Sequence, residues 1–420
     1  MEESKRLAKN KQISLSKQET LKRHASMLCK SFTVKIQQNK LSKLQQQELK
    51  MIFVEAKWFK NDILNWSNNP ENKIWKYNTK AKTISHKDKD MKDIKVSLKY
   101  LGSSMKQTIL AEMISNIKTL HTLKSKGLQQ CGKLKFVKEI KSIGLKQYGI
   151  THKIVSSKRI KIQGISKTIS VNGLSQFINI PNIEYTNARI LNTPKGYYVQ
   201  FICFIPQENK KIDNNKVLGI DFGCSTSFTT SEGEKISIQV QESERLKNLS
   251  ARLNRRQKKG SKNWYRTVKQ IQREYQKQTN QKNDKANKII AHFNEYKTIV
   301  IQDEQISKWQ KSGHGKAVQH SVLGRVKTKL LTNPKVVILS KTVPTTKLCT
   351  KCGVYHDELK LSDRTFRCDC GVEMDRDIHA AKNMVWFYEN NVGVGHTNFK
   401  RVEMKALVSQ ALNLAEQPLV

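Results

Sequence analysis

The most constraining stretch of the sequence is Val217 to Phe222, an apolar run that contains one acidic residue, Asp221. Gly219 and Gly223 flank that acid, and a short apolar run bounded by glycines predicts a buried strand. A carboxylate inside such a strand is costly in free energy unless a cation offsets its charge. Two interpretations follow: Asp221 is a ligand of a divalent metal ion, or it is a turn aspartate that closes the strand.

The charge of the chain indicates a polyanionic partner. Its 420 residues carry a formal charge of +42 at pH 7, from 77 Lys and Arg against 35 Asp and Glu. The surplus is spread along the chain and would repel itself in a free protein. Nucleic acid fits better than a membrane surface, because the basic segments lack long apolar faces.

No segment of the sequence predicts membrane insertion or secretion. No apolar run approaches the roughly 20 residues of a spanning helix. The N-terminal residues are not followed by the apolar core of a signal peptide. We therefore expect a soluble, intracellular protein, with no membrane among its partners and no small-molecule cofactor.

The first half of the chain predicts a β-barrel interrupted by helices. Residues 1–30 are expected to form a solvated basic arm. Apolar residues at helical spacing predict helices from Leu41 to Trp66 and from about Ser104 to Lys124. Alternating apolar and polar residues predict a set of short strands, at 31–36, 153–155, 159–162, 168–171, 177–180 and 197–204.

The second half predicts an α/β domain that follows a linker at Pro206 to Lys211. Its predicted elements are the strand at 217–222, a hairpin at 226–239, two long helices within 242–293, a strand at 298–304, a helix at 324–331 and a strand at 336–339. Residues 251–280 hold ten Lys or Arg and one acid, with Trp264, Tyr265 and Tyr275 among them. This composition is typical of a groove that follows phosphates and stacks on bases, although a solvated charged face is the plainer alternative.

Three acids in separate elements predict a nuclease site. Asp221 and Glu304 lie at predicted strand ends, and Asp377 lies at a predicted helix start. Two-metal phosphodiester hydrolysis uses acidic side chains that converge on paired ions about 4 Å apart, and Mg²⁺ needs only a few carboxylates beside phosphate and water. The alternatives are an N-cap at Asp377 and a surface acid at Glu304. Strand alternation favours Glu304 over Asp303, because it would place Glu304 on the face of Val300.

Four of the eight cysteines form two close pairs. Cys349 and Cys352 are separated by two residues, and Cys368 and Cys370 by one, with 15 residues between the pairs. This spacing predicts a zinc ribbon in which four thiolates close a structural Zn²⁺ site, with a tighter second turn. A redox pair is the alternative, but it does not account for two pairs.

Four motifs in this order resemble the TnpB proteins of bacterial insertion sequences. They are Gly219-Ile220-Asp221-Phe222-Gly223, Gln302-Asp303-Glu304, the two cysteine pairs, and Asp375-Arg376-Asp377-Ile378-His379-Ala380-Ala381-Lys382-Asn383. Miniature type V CRISPR effectors look similar and share the same RuvC-like core. The resemblance covers roughly residues 215–385, and the first half of the chain matches in layout only.

The sequence departs from the pattern of the TnpB proteins at three places. His379 stands where many members have Asn, and Cys-X-Cys stands in the ribbon where Cys-X-X-Cys is usual. Glu304 lies in Gln-Asp-Glu, where other members have Glu-Asp-Leu.

The resemblance implies an RNA-guided DNA endonuclease with a split RuvC domain. The three acids of the family then fall on Asp221, Glu304 and Asp377, which would hold two Mg²⁺ ions. The four cysteines fall on the zinc-bearing insert that binds target nucleic acid. The implied partners are a guide RNA, which reads sequence by pairing, and double-stranded target DNA, which is cut beside a short flanking motif. The implied location is the bacterial cytoplasm, in association with the nucleoid.

The predicted fold is therefore multidomain α+β: an N-terminal wedge-like β-barrel with a helical insertion, then an RNase H-like (RuvC) α/β domain with a zinc-ribbon insert. The predicted limits are a basic arm at 1–30, the barrel at 31–40 and 130–207, a helical recognition insertion at 41–129, a RuvC-like part at 212–340 with a basic helical hairpin at 242–293, the ribbon at 341–373, a last RuvC-like segment at 374–390 and a flexible tail at 391–420.

Three other functions are compatible with parts of this pattern. An RNA-guided repressor would have the same scaffold without cleavage, and loss of an acid would indicate it; all three acids are present. A guide-independent RNase H-like transposase would carry no discrete RNA. An RNA-binding zinc-ribbon protein would have no DNA target.

Overall fold

The computed structural model describes residues 2–69, 71–87, 93–127, 134–206, 214–360 and 362–391. It divides into two compact units, Met1–Asn209 and Lys210–Val420, and each is described by itself. The predicted linker falls mostly, and the predicted tail almost entirely, outside the described residues. The described helices include none with both the length and the apolar character needed to cross a bilayer.

The first unit combines three helices with nine strands among the described residues. In chain order they are α1 (Glu2–Ala25), β1 (Met27–Ile36), α2 (Lys43–Trp66), β2 (Thr83–Lys87), β3 (Asp93–Ser97), α3 (Ser103–Ser125), β4 (Ser142–Leu145), β5 (His152–Ser156), β6 (Arg159–Ile162), β7 (Ile169–Asn172), β8 (Glu184–Thr193) and β9 (Gly196–Pro206).

Seven of these strands form one antiparallel, nearly closed sheet in the order β4-β8-β9-β1-β7-β6-β5. Its two edge strands are consecutive in the chain. Tyr148, between them, pairs with His152 at the start of β5 and stacks on Tyr185 of β8 at 4.7 Å. The predicted barrel is therefore a strongly curled sheet whose edges approach each other.

The two helices predicted within residues 41–129 are confirmed as α2 and α3. A capping box starts α2, in which the Ser42 side chain accepts from the Gln45 backbone and the Gln45 side chain accepts from the Ser42 backbone. The hairpin β2–β3 lies between the helices and was not predicted. Buried residues of α2 and α3 belong to the same hydrophobic core as the curled sheet, so the insertion is packed into the unit.

The secondary structure of the first unit differs from the prediction at 177–180 and includes elements that were not predicted. Residues 2–25 of the predicted arm form helix α1, which suits a segment rich in Lys, Gln, Leu and Ala. Residues 177–180 form turns, and Phe177 is buried against Phe32 at 4.7 Å. Strand β8 was missed because a bulge between Tyr185 and Ala188 breaks its alternation.

The second unit is built around a five-stranded sheet. Its elements are β10 (Asn214–Phe222), β11 (Phe228–Thr230), β12 (Lys235–Ile236), α4 (Glu244–Arg256), α5 (Lys262–Phe293), β13 (Tyr296–Gln302), α6 (Ile306–Trp309), α7 (Gly315–His320), α8 (Leu323–Leu330), β14 (Val336–Leu339), β15 (Thr365–Arg367), β16 (Glu373–Asp375) and α9 (Arg376–Glu389).

The order of the five-stranded sheet is β12-β11-β10-β13-β14. Strands β10, β13 and β14 are parallel, and β10, β11 and β12 are joined as antiparallel neighbours. The predicted hairpin, the two long helices and the strand at 336–339 are confirmed.

Helices cover both faces of this sheet, because its parallel strands are apolar on both sides. On one face, Leu218, Ile220, Ile299 and Ile301 pack with residues of α5 and α8. On the other face, Val300 and Leu339 pack with Met384 and Phe387 of α9. The alternation of β10 therefore directs Val217, Gly219 and Asp221 toward the face that α9 covers.

Candidate functional site

A close contact between β10 and α9 positions two of the predicted acids. A methyl group built on Gly219 would lie 2.0 Å from the carbonyl oxygen of Ala381, so only glycine permits this approach. Asp221 follows Gly219 by two residues on the same face of β10. Asp377 precedes Ala381 by about one helical turn. The contact therefore fixes the helix that carries one acid against the strand that carries the other.

Asp221 is the electrostatic centre of the site. Burial, followed by the nearby negative charges of Asp377 and Glu304, raises the pKa of Asp221 to about 8, and the positive charge of Arg376 opposes this shift. Asp377 and Glu304 thus lie near enough to Asp221 for their charges to affect its carboxyl. A half-buried carboxyl near two other acids is an environment in which a divalent cation would stabilise the ionised forms.

Glu304 reaches the site through a turn. Strand β13 ends at Gln302, and the backbone N–H of Glu304 donates to the carbonyl of Gln302 at 2.8 Å. The prediction that the strand, with its alternating faces, continues to Glu304 is therefore wrong. The Glu304 side chain is nevertheless half-buried. Burial raises the pKa of Glu304, against the charge of Lys327.

Asp303 has a different environment from Glu304. Its carboxylate accepts from the Lys327 ammonium at 3.3 Å, and the same ammonium donates to the backbone carbonyl of Glu304. Lys327 is 14% exposed and holds this turn from helix α8. The sequence analysis missed Lys327, because nothing in the pattern separates it from Arg325 and Lys329 on the same helix.

Asp377 is not the N-cap of α9. Asp375 caps the helix by accepting from the backbone N–H of Asp377 at 3.1 Å and of Ile378 at 3.2 Å. Lys235 holds Asp375 from β12, with Nζ 2.6 Å from Oδ2. The N-cap interpretation of Asp377 is therefore wrong, and its carboxylate lies 3.4 Å from the Arg376 guanidinium.

The four clustered cysteines have the geometry of a tetrahedral metal site. All four sulfur atoms lie within 4.8 Å of one another, with Cys349 and Cys370 3.6 Å apart and Cys352 and Cys368 3.4 Å apart. Zn–S bonds of about 2.3 Å at tetrahedral angles require sulfur separations of roughly 3.8 Å. The thiols therefore fit a structural Zn²⁺ ion. Among the described residues, the three acids do not form a group of this compactness.

Two glycine turns build the cysteine site. The backbone N–H of Gly353 donates to the carbonyl of Cys349 at 2.8 Å, and that of Gly371 donates to Cys368 at 2.9 Å. Both glycines have positive φ, +75° and +85°. The second turn is one residue shorter than the first, as the Cys-X-Cys spacing predicted. Asp375, at the end of β16, directly joins the ribbon to α9.

Buried polar side chains connect the ribbon to the sheet and to α9. Asn383 is 1% exposed and donates to the carbonyls of Thr345 at 2.7 Å and Leu348 at 2.8 Å. The side-chain amide of Gln302 donates to the backbone carbonyls of Ser340 and Val343. The side-chain oxygen of Gln302 accepts from the Thr345 hydroxyl at 3.2 Å. Thr345 therefore bonds both to the end of β13 and to α9.

His379 adds an aromatic contact between α9 and the ribbon. Its ring stacks on Phe366 of β15, with centroids 3.6 Å apart and planes 11° apart. Burial lowers the pKa of His379 to about 4, so the ring is neutral at pH 7. The sequence marked this position only as a departure from the TnpB pattern, and its packing role was missed.

Helices α4 and α5 present a basic surface. Arg252 of α4 donates to Thr267 and Gln270 of α5 at 3.2 and 2.9 Å. Tyr265 is 61% exposed. Helical spacing places one set of exposed basic residues on the side of α5 away from its buried residues: Lys262, Arg266, Lys269, Arg273 and Lys277. The predicted combination of cations and aromatics is therefore accessible along this helix.

Two segments of the chain match known protein families. Residues 200–312 match the OrfB_IS605 family, described as "Probable transposase". Residues 323–384 match the Cas12f1-like TNB domain. These two segments contain the three acids and the four cysteines.

A Streptomyces pristinaespiralis protein named "Putative RNA-guided DNA endonuclease" is 29% identical over 178 residues, which are 40% of this chain and 44% of that protein. The match thus spans less than half the length of this curated relative. The structure of Cas12f1 in a complex with sgRNA and target DNA aligns at a TM-score of 0.48 and 12% identity, over 86% of this chain and 99% of that one.

Two segments of the chain are thus similar to a transposase family and to the Cas12f1-like TNB domain. Its described residues have a mixed α and β fold and a cysteine cluster suited to zinc.

Proposed function

We propose that this chain is an RNA-guided DNA endonuclease that hydrolyses target DNA at Asp221, Glu304 and Asp377. The observation that carries the proposal is the environment of Asp221, a half-buried carboxyl whose pKa is raised by burial and by the two other acids. The name of the Streptomyces relative, "Putative RNA-guided DNA endonuclease", supports the same activity. The net charge of +42 supports a nucleic-acid substrate and guide.

The second unit supports an RNase H-like (RuvC) arrangement for this site. Its central strand β10 carries the first acid, the neighbouring parallel strand β13 leads to the second, and α9 on the sheet face carries the third. The ribbon would be the insert between β14 and α9, and the curled sheet of the first unit would be the wedge-like barrel.

Asp221, Glu304 and Asp377 would together hold two Mg²⁺ ions. In such sites one ion activates the attacking water and the other stabilises the leaving 3′ oxygen. Three neighbouring side chains would position or balance these acids. Arg376 and Lys327 partly balance the acids, and Asp375 holds the helix turn from which Asp377 projects.

The guide and the target would be bound by basic surfaces of both units. The guide RNA would contact the first unit and the basic side of α5, where cations and exposed tyrosine combine phosphate binding with stacking. Pairing with the guide would select the target, which is cut beside a short flanking motif read by the protein.

The test is a plasmid-cleavage assay on the purified ribonucleoprotein with Mg²⁺. We expect Asp221→Ala to abolish cleavage and to leave binding of RNA and target unchanged. Asp284→Ala is the matched control, because Asp284 is an exposed acid of α5 paired only with Lys288 among the described contacts. Cleavage by Asp221→Ala at the wild-type rate would overturn the proposed site. Cleavage without a co-purified RNA would instead indicate a guide-independent transposase.

A further inference from the structure

Trp75 is a large aromatic side chain that the first unit holds in solvent. It is 64% exposed, more than any other tryptophan among the described residues. It lies in a 3₁₀ helix of one turn, Ile74–Lys76, between α2 and the hairpin β2–β3. An exposed indole leaves much apolar surface in water, so a fixed one marks a contact surface.

The turn that carries Trp75 is anchored on both sides. Ile74 is 8% exposed and belongs to the hydrophobic core of the first unit. The Tyr77 hydroxyl donates to Asp62, and its ring packs edge-on against Phe59 and Trp66 at 5.6 and 5.4 Å. With residues 74 and 77 fixed, the indole between them is presented on a rigid base.

Local hydrogen bonds hold the rest of the turn. The Asn72 amide donates to the Trp66 carbonyl at 2.8 Å, and the backbone N–H of Lys76 donates to the Lys73 carbonyl at 2.7 Å. The exposure of Trp75 is therefore a property of a packed segment. A base that stacks on it would lose less entropy than on a mobile side chain.

The surroundings of Trp75 are basic. Residues 71–82 include one acid, Glu71, and four exposed lysines, Lys73, Lys76, Lys80 and Lys82. The Lys73 ammonium lies 6.0 Å from the centroid of the indole ring, at the outer limit of a cation–π contact. A planar ring beside ammonium groups matches a nucleotide, in which a flat base lies beside a phosphate.

We propose that Trp75 stacks on an unpaired base of the guide RNA, while Lys73 and Lys76 contact the flanking phosphates. This inference rests on the proposed function. The occupant is RNA rather than target DNA because the target arrives as a duplex with its bases paired, whereas a structured guide carries unpaired bases before any target is present.

The test compares RNA binding by full-length wild type, Trp75→Ala and Trp75→Phe. The probes are a fluorescein-labelled single-stranded RNA, the same RNA with abasic sites, and the DNA of the same sequence. Stacking on one base corresponds to a loss of about 5- to 150-fold in affinity for Trp75→Ala, and phenylalanine should restore most of it. Lys80→Ala is the control, and it should reduce the salt dependence of binding without removing the preference for bases.

Abasic RNA gives the decisive comparison. We expect abasic sites to weaken binding to wild type but not to Trp75→Ala, because the variant has already lost the stack. Equal affinities of wild type and Trp75→Ala for intact RNA would overturn the inference and leave the proposed function standing. A Trp75-dependent affinity for DNA alone would overturn the assignment to RNA. Failure of the wild type to bind any RNA would overturn the proposed function as well.

Discussion

The Cα of Gly219, which carries no side chain, faces the carbonyl oxygen of Ala381 so closely that a Cβ atom would lie 2.0 Å from it. The obstruction is backbone, which cannot rotate away as a side chain can. The contact joins the strand of Asp221 to the helix of Asp377, so the separation of these acids depends on the absence of one side chain.

Gly219→Ala should destabilise the second unit and displace α9. We expect the free energy of unfolding to fall by more than about 3 kcal/mol, because the clash requires the strand and helix to separate. Chemical denaturation measures the loss. Gly324→Ala is the control, since a Cβ there meets no atom within 4 Å and helix α8 should gain up to about 1 kcal/mol. Equal stability of the two variants would contradict the close approach.

Glu304→Gln should reduce the rate of DNA cleavage more than Asp303→Asn does. Glu304 shares the site with Asp221, whereas Asp303 is paired with Lys327. We expect the Glu304 variant to lose at least about 100-fold in Mg²⁺-dependent cleavage and the Asp303 variant to lose much less. The measurement is the single-turnover rate at saturating Mg²⁺. The reverse order would assign the second acid to Asp303.

Asn383→Ala should loosen the ribbon from α9. The carbonyls of Thr345 and Leu348 would lose their donor, at a cost of roughly 2–4 kcal/mol. We expect faster release of zinc to a chelator and faster proteolysis within residues 341–373. Lys382→Ala, an exposed neighbour on the same helix, should leave both rates unchanged. If both variants released zinc at the wild-type rate, the buried amide would have no anchoring role.

Cys349→Ser should remove zinc from the purified protein. Wild type should hold about one zinc ion per chain, measured by mass spectrometry of the metal, because four thiolates complete a tetrahedral site. Cys29→Ser is the control, since Cys29 is an exposed thiol of the first unit. A full zinc content in the Cys349 variant would show that the cysteine cluster is not the metal site.

His152 should make the first unit sensitive to acid. Burial lowers the pKa of His152 from 6.5 to about 4, and the side chain is 2% exposed. Between these values the unfolded chain binds a proton that the folded chain does not, so stability falls as the pH decreases from 6.5 to 4. The expected loss is about 3 kcal/mol, measured as the shift of the denaturation midpoint.

His152→Gln should remove that part of the pH dependence. His379 has a similarly lowered pKa in the second unit, so its contribution should remain in the variant. An unchanged pH profile for the first unit in His152→Gln would show that the ring is not the source of the sensitivity.

The sequence predicted those helices and strands in which apolar residues recur at regular spacing or form a continuous run. Strand β14 was predicted at its observed limits, because Val336 to Leu339 is a continuous apolar run. Strand β8 was missed, because a bulge changes which residues face the core. The helix start was predicted near Asp377, whereas α9 begins at Arg376 and is capped by Asp375, because two acids two residues apart look alike until the hydrogen bonds are known.

The sequence indicated the candidate acids, but it did not indicate the residues that support them. Asp221 is conspicuous because it interrupts an apolar strand. Lys327, Gln302 and Asn383 form contacts with residues 24 to 43 positions away, and no local pattern contains that information. Their roles depend on which segments the fold brings together.

The junction between the ribbon and α9 also limits how such proteins can be recombined. Strand β16 ends on Asp375, and that same residue caps α9 and bonds to Lys235 of β12. A ribbon transplanted from a relative must therefore bring a residue able to begin the following helix, or be cut before Glu373. Exchange of ribbons between similar chains should succeed most often when the crossover keeps that aspartate with its helix.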